Sequence, residues 1–302
     1  AGFFLAALIM TSALSIVYAV VLTFYWGVGT GKIKEVKRNV TNVRISKWYL
    51  LAAAVGGPIA IFGGNLALGY IGSTFAASAA LMTAVFGAII ARLWYGENIS
   101  RKGWIGIGLI IAGGLLIWNP INMYNEIMNP AASESVWIGY LGGLISGFGW
   151  GLEGAIAGRI QDLTDADAGV NTRLIAEGLL WILIFWPVMM LIFGIDTVIN
   201  SIVATMVNPT FLIWATIAGL SMVVSYCCMY KSYPMIGVGR GLSVTMFYVV
   251  FAIAFLFIFL GTPFELLLTM GALISIFGVF VMYWDSGSNV MDTNRASESE
   301  KG

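Results

Sequence analysis

Two stretches decide the fold: IGSTFAASAALMTAVFGAIIARLWY (Ile71–Tyr95) and IGVGRGLSVTMFYVVFAIAFLFIFL (Ile236–Leu260). Each is long and apolar enough to cross a hydrocarbon core about 30 Å thick. Each is followed by a glycine, Gly96 or Gly261, and then by a second apolar run. Sliding the chain by 165 positions superposes Ile71–Trp118 on Ile236–Tyr283, with identities at Ile71/Ile236, Gly72/Gly237, Ser78/Ser243, Val85/Val250, Phe86/Phe251, Gly96/Gly261, Gly106/Gly271, Ile111/Ile276 and Gly113/Gly278. The Gly96 turn is flanked by Arg92, Arg101 and Lys102, whereas no basic residue flanks Gly261. Lys and Arg mark the cytoplasmic side of short loops, so the two copies insert in opposite senses. Inverted repeats of this kind build many secondary transporters.

The rest of the chain agrees with a membrane setting. Of 302 residues, 59% are hydrophobic and only 10% are charged, against about a quarter charged in soluble domains. The apolar residues fall into nine runs: Phe3–Trp26, Trp48–Leu68, Ile71–Tyr95, Gly103–Trp118, Val136–Gly158, Leu174–Phe193, Phe211–Tyr230, Ile236–Leu260 and Phe264–Trp284. They predict an all-α, polytopic membrane protein. Threaded on an alternating path, all fifteen Lys and Arg fall on one side, and Asn119–Ser135, Asp196–Pro209 and Thr262–Pro263 carry none. The C-terminus is therefore expected in the cytoplasm and Ala1 on the outer side of a bacterial or archaeal cytoplasmic membrane. The expected units are an N-terminal half, 1–118, an outer linker, 119–135, a C-terminal half, 136–284, and a disordered polar tail, 285–302.

The repeat offset makes a further prediction. Val136 opens the fifth run, and its counterpart would start 29 positions before Ala1 (165 − 136 = 29). The expectation is a parent of ten helices, five plus five, whose first helix is missing here. The alternative is a nine-helix protein with an external N-terminus.

Composition excludes several chemistries. There is no His, and Cys227 and Cys228 are adjacent within an apolar run, which disfavours zinc ligation, imidazole catalysis and a disulfide framework. Zero net charge, from 15 basic and 15 acidic residues, argues against a nucleic-acid partner. No phosphate-binding G-x-x-x-x-G-K-[ST] loop occurs. An intramembrane enzyme is disfavoured because no Ser or Cys stands beside a base and no pair of acids has glycosidase-like spacing. No cofactor is expected.

A carboxylate at a helix centre costs about 2.5–3.5 kcal/mol on insertion scales, so an acid within an apolar run points to function. Glu153 is such an acid, in Gly147-Phe-Gly-Trp-Gly-Leu-Glu-Gly154. It lies six residues before Arg159, about 9 Å from the cytoplasmic end. Ser146, Trp150, Glu153 and Ala157 share one helical face. The neighbouring stripe of glycines (Gly143, Gly147, Gly151, Gly154, Gly158) is a packing seam that needs no functional reading. An indole beside a carboxylate suits a cation, above all a quaternary ammonium ion. Glu177 lies one turn after Arg173, and the spacing predicts an ion pair near the interface; the two are also candidates for coupling or gating. Asn65 could bind ligand or bond to a neighbouring helix. Tyr226, Tyr230, Phe247, Tyr248 and Phe251 are candidate walls of an aromatic cage, although for any one aromatic on an apolar helix lipid or core packing is the commoner role.

These residues carry a resemblance. Gly57-Pro58 through Asn65, Tyr70-Ile-Gly-Ser73, Trp150-Gly-x-Glu153, Ser225-Tyr226, and Tyr248-Val-Val with Leu260-Gly-x-Pro263 make the chain similar to the EamA-type drug/metabolite transporter (DMT) superfamily. Within it the chain looks most like bacterial Lic-type choline permeases. The resemblance implies ten helices in two inverted halves, a central cavity lined by the first helix together with the Val136–Gly158 run, and alternating access without ATP. It implies a small-molecule substrate, with choline or a related quaternary ammonium ion first, in a site of Glu153 as counter-ion and Trp150, Tyr226 and Tyr248 as walls. The alternative is an amino-acid or metabolite exporter in which Glu153 exchanges protons. A homodimer is compatible with either.

Overall fold

The computed structural model describes residues 2–72, 76, 81–96, 99–117, 121, 124–125, 128, 136–161, 163–245, 248–261 and 266–284. Among them every regular element is helical. The elements are α1 (Gly2–Val21), α2 (Ile33–Thr41), α3 (Val43–Ala54), α4 (Ala60–Ile71), α5 (Met82–Tyr95), α6 (Arg101–Ile117), α7 (Val136–Gln161), α8 (Ala166–Leu180), α9 (Trp186–Phe193), α10 (Ile195–Met206), α11 (Pro209–Ile236), α12 (Val238–Thr245), α13 (Tyr248–Leu260) and α14 (Leu266–Trp284). Three π-helical segments, Leu22–Val28, Val55–Ile59 and Trp181–Phe185, extend α1, join α3 to α4 and join α8 to α9. Four of the resulting rods are long and apolar enough to cross a membrane: Phe4–Val28, Val43–Ile71, Ala166–Phe193 and Pro209–Ile236. Among the described residues the chain is all-helical, with the long apolar rods of a multi-pass membrane protein.

Side-chain caps set several boundaries. Asn42 accepts from the Arg44 N–H, Asp165 from those of Asp167 and Ala168, and Asn208 from those of Thr210 and Phe211, which satisfies otherwise orphaned donors at the starts of α3, α8 and α11. These caps explain differences from the sequence expectations. The run expected from Leu174 starts at Ala166, and that expected from Trp48 starts at Val43. Asp196–Pro209, expected as a connection, folds largely as α10, and the basic segment after the first run folds as α2. The run expected to end at Tyr230 continues to Ile236 with Pro234 inside it. The expected Ile236–Leu260 helix starts only after the bend at Gly237 and is described as two pieces, α12 and α13. Most of the outer linker, the tail and Phe247 lie outside the described residues.

The repeat seen in the sequence has a geometric counterpart. Gly72 ends α4 at φ 85°, ψ 166°, and Gly237 ends α11 at φ 86°, ψ 155°. Gly96 and Gly261 take φ 67° and 62°. These backbone conformations favour glycine, because a Cβ would clash. Helices α6 and α14 pack antiparallel along a glycine seam, where a Cβ on Gly106 would stand 2.5 Å from the Gly278 oxygen and one on Gly271 would stand 2.5 Å from the Gly113 oxygen. Gly271 and Gly278 are the counterparts of Gly106 and Gly113, so each contact is the image of the other. Between them Ser275 Oγ donates to the Ile110 oxygen at 3.4 Å, across 165 residues. That self-paired position marks a pseudo-two-fold axis perpendicular to the two helices, since reciprocal contacts are the signature of an isologous interface.

Helices α4 and α7 also meet through glycine, with Gly63 facing the Gly142 oxygen and Gly142 facing that of Gly63. This close approach carries α7 across the broken Val43–Ile71 rod. There Gly57 departs from helical geometry (φ −88°, ψ −106°), followed by Pro58. Pro58 has no N–H to give its helix, and π-type breaks of this sort collect at functional sites.

Candidate functional site

Three helices converge on that break. α7 brings Trp150 and Glu153, α8 brings Arg173 and Glu177, and α11 brings Tyr226 and Tyr230. Arg173 lies between the two acids. Its Nε is 2.6 Å from Glu153 Oε1, and its Nη1 donates to Glu177 Oε2. None of the three side chains is more than 4% exposed. The i, i+4 spacing of Arg173 and Glu177 on one helix makes their pair the local one; the contact with Glu153 crosses from another helix.

The two carboxylates are not held alike. Arg173 makes an aligned hydrogen bond to Glu177, whereas its Nε, though close to Glu153, finds no hydrogen-bond partner in line. Glu153 is held by proximity of charge and by the Tyr230 hydroxyl, which donates to Oε1 at 3.3 Å. Tyr226 covers the guanidinium, its ring centroid 5.3 Å from Arg173 Cζ, and packs beside Tyr230 with centroids 6.2 Å apart. With both acids ionised, two acids and one base leave the cluster one negative charge in excess. A buried ionic group of this kind is retained at a cost in desolvation and is weak evidence for stability.

The helix break supplies the room. A Cβ on Gly56 would clash with Glu153 Oε2, and one on Gly57 would stand 2.6 Å from Glu177 Cγ. Trp150 is tied to the same segment, its Nε1 donating to the Gly56 oxygen at 2.9 Å. Gly56 and Gly57 were not singled out as site residues by sequence reasoning, whereas Tyr230, a candidate cage wall, stands in the cluster beside Tyr226. The signal for the glycines was available: a Gly-Gly-Pro interruption in a membrane-length apolar run.

The other candidates stand differently. The Asn65 amide donates to Thr11 Oγ1 and to the Ile61 oxygen, both at 3.0 Å, so both its hydrogens are spent within the helix pair and it bonds to a neighbouring helix. Tyr248 is 43% exposed on α13, and no described contact joins it to the cluster. Ser146, on the face of Glu153, is buried with no hydrogen-bond partner for its hydroxyl. Among the described residues no group of three or more Cys, Asp or Glu could hold a metal ion.

About 12 Å from Arg173 along α8, eight residues at 1.5 Å each, the bundle ends in a second set of charges. Lys32 Nζ is 2.8 Å from Asp165 Oδ2, Lys231 Nζ is 2.8 Å from Asp167 Oδ1, and the Tyr49 and Thr164 hydroxyls bond at 2.6 Å. Burial pushes the Asp165 carboxyl up, but the Lys32 hydrogen bond and the N–H groups of Ala168 and Asp167 outweigh it and hold the group below its ordinary value. The same hydrogen bond raises Lys32. These pairs tie the segment after α1 and the end of α11 to the start of α8.

No curated protein sequence matches the chain. A solved structure titled "Crystal structure of protein" is similar over 93% of this chain and 88% of its own, at 14% identity and a TM-score of 0.44. Residues 5–119 match the profile of the EamA-like transporter family.

Proposed function

We propose that the protein is a secondary transporter that moves a small organic cation across the cytoplasmic membrane by alternating access between two inverted halves, 1–118 and 136–284. Choline or a related quaternary ammonium ion is the leading substrate. The observation that carries this reading is the buried Glu153–Arg173–Glu177 cluster, with its excess negative charge, aromatic wall and broken helix. A monovalent cation neutralises that charge where an anion would double it, and a low-dielectric setting makes the difference large. The Tyr226 ring already holds a delocalised cation, that of Arg173, in the manner in which aromatic cages hold quaternary ammonium ions. The Lys32–Asp165 and Lys231–Asp167 pairs then close the cytoplasmic end.

The same excess charge favours a second reading, an amino-acid or metabolite exporter coupled to protons, because a proton on Glu153 or Glu177 neutralises the cluster equally well. Counterflow of radiolabelled choline into liposomes holding the full chain separates them. The wild type exchanges choline, and Glu153→Gln does not. Exchange that survives the substitution overturns the counter-ion role; accumulation of a neutral or zwitterionic solute that follows an imposed proton gradient, with no choline exchange, replaces the first reading by the second.

A further inference from the structure

We infer that Arg173 is a tethered occupant of the cation site: in the empty carrier its guanidinium fills the place that a substrate cation takes, and on binding it withdraws from Glu153 to Glu177 alone. The inference rests on the reading of Glu153 as counter-ion. It follows from the unequal hold on the two acids. Arg173 and Glu177 are one turn apart on α8 and hydrogen-bonded, so the pair travels as a unit, whereas Glu153 stands on α7 with no aligned hydrogen bond to the guanidinium. Separating α8 from α7 by a small shift breaks the contact to Glu153 and leaves the one to Glu177 whole.

Charge conservation gives the exchange its direction. Before binding, the cluster carries one excess negative charge. After binding, Arg173 and Glu177 form a neutral pair and Glu153 faces the incoming cation, so no isolated charge is left in the interior. Withdrawal of Arg173 without a cation would leave Glu153 unpaired in the hydrocarbon, at a cost that keeps the empty site closed. The incoming group inherits the Tyr226 ring, 5.3 Å from the guanidinium carbon. Tyr230 keeps its bond to Glu153. The class that fits is a monovalent organic cation of about the size of a guanidinium, trimethylammonium head groups included.

Binding of radiolabelled choline and of tetramethylammonium to the full chain in nanodiscs tests this. A site whose competent state is rare binds with its affinity reduced by that fraction. Arg173→Gln combined with Glu177→Gln removes the occupant and its partner together, keeps the net charge of the cluster, and is expected to tighten binding about tenfold or more. Glu177→Gln alone denies Arg173 its second partner and is expected to weaken binding about tenfold. Glu153→Gln abolishes binding in every background. A folded double variant that binds no tighter than the wild type, or a Glu177→Gln protein that binds equally or more tightly, overturns the inference; where the double variant does not fold, the single one decides. Loss of binding in Glu153→Gln with no effect of the other two leaves the transport reading standing and removes this one. Absence of binding by every variant removes both.

Discussion

Gly56→Ala tests whether the helix break exists to seat the acid. The new Cβ would clash with Glu153 Oε2 and lie 2.7 Å from Glu153 Cβ. Neither α7 nor the break can yield cheaply, because Gly149 packs against Val55 and Ala60 and Trp150 bonds to the Gly56 oxygen. The carboxylate must therefore swing away and lose both its contact with Arg173 and the Tyr230 hydroxyl. Separating one partner from a buried ion pair costs about 3–5 kcal/mol, which exceeds the gain of about 0.4–1 kcal/mol that a compatible Gly→Ala change brings through the unfolded chain. Gly108→Ala and Gly114→Ala on α6 are the controls, since a Cβ there meets nothing within 4 Å, and each should be neutral or slightly stabilising. Thermal unfolding of the full chain in one detergent, beside choline binding, reads both effects. A Gly56→Ala protein that melts with the α6 controls and binds choline as the wild type does would refute the seating argument.

Two other perturbations probe the frame around the site. Asp165→Asn keeps a capping side chain on α8 but loses the charge that pairs with Lys32. Because the Asp165 pKa is lowered in the fold, its stabilisation is full above the ordinary carboxylate value and is lost as pH falls through the lowered one. The wild type should thus melt above Asp165→Asn at pH 7, and the gap should close in strong acid; a gap constant across that range contradicts the pairing. Gly106→Ala places a Cβ 2.5 Å from the Gly278 oxygen and should cost about 1–3 kcal/mol through overpacking. Gly271→Ala, its image across the pseudo-axis, should cost a similar amount in the same melting assay, and a large loss from only one of the two would contradict the reciprocity of the seam.

Much of the architecture was legible in the sequence because the bilayer imposes it. Apolar runs must become helices, since no water is present to satisfy an unpaired backbone group. Paired glycines at Gly72/Gly237 and Gly96/Gly261 fix equivalent turns, because their backbone angles exclude a Cβ. The Arg173–Glu177 pair was legible too, because i, i+4 neighbours on a helix meet wherever that helix lies. Helices α2 and α10 were not, because segments read as connections can coil against a bundle whose shape the pattern does not contain.

The sequence by itself determined an all-helical membrane chain with an internal repeat, because hydrophobic length, glycine placement and local pairs act within one helix or one turn. Only the tertiary structure decided that Glu153 meets Arg173, that Gly56 and Gly57 vacate the space for two carboxylates, and that Tyr226 covers the guanidinium. Those relations join different helices. They depend on how the rods rotate and cross, which packing alone sets.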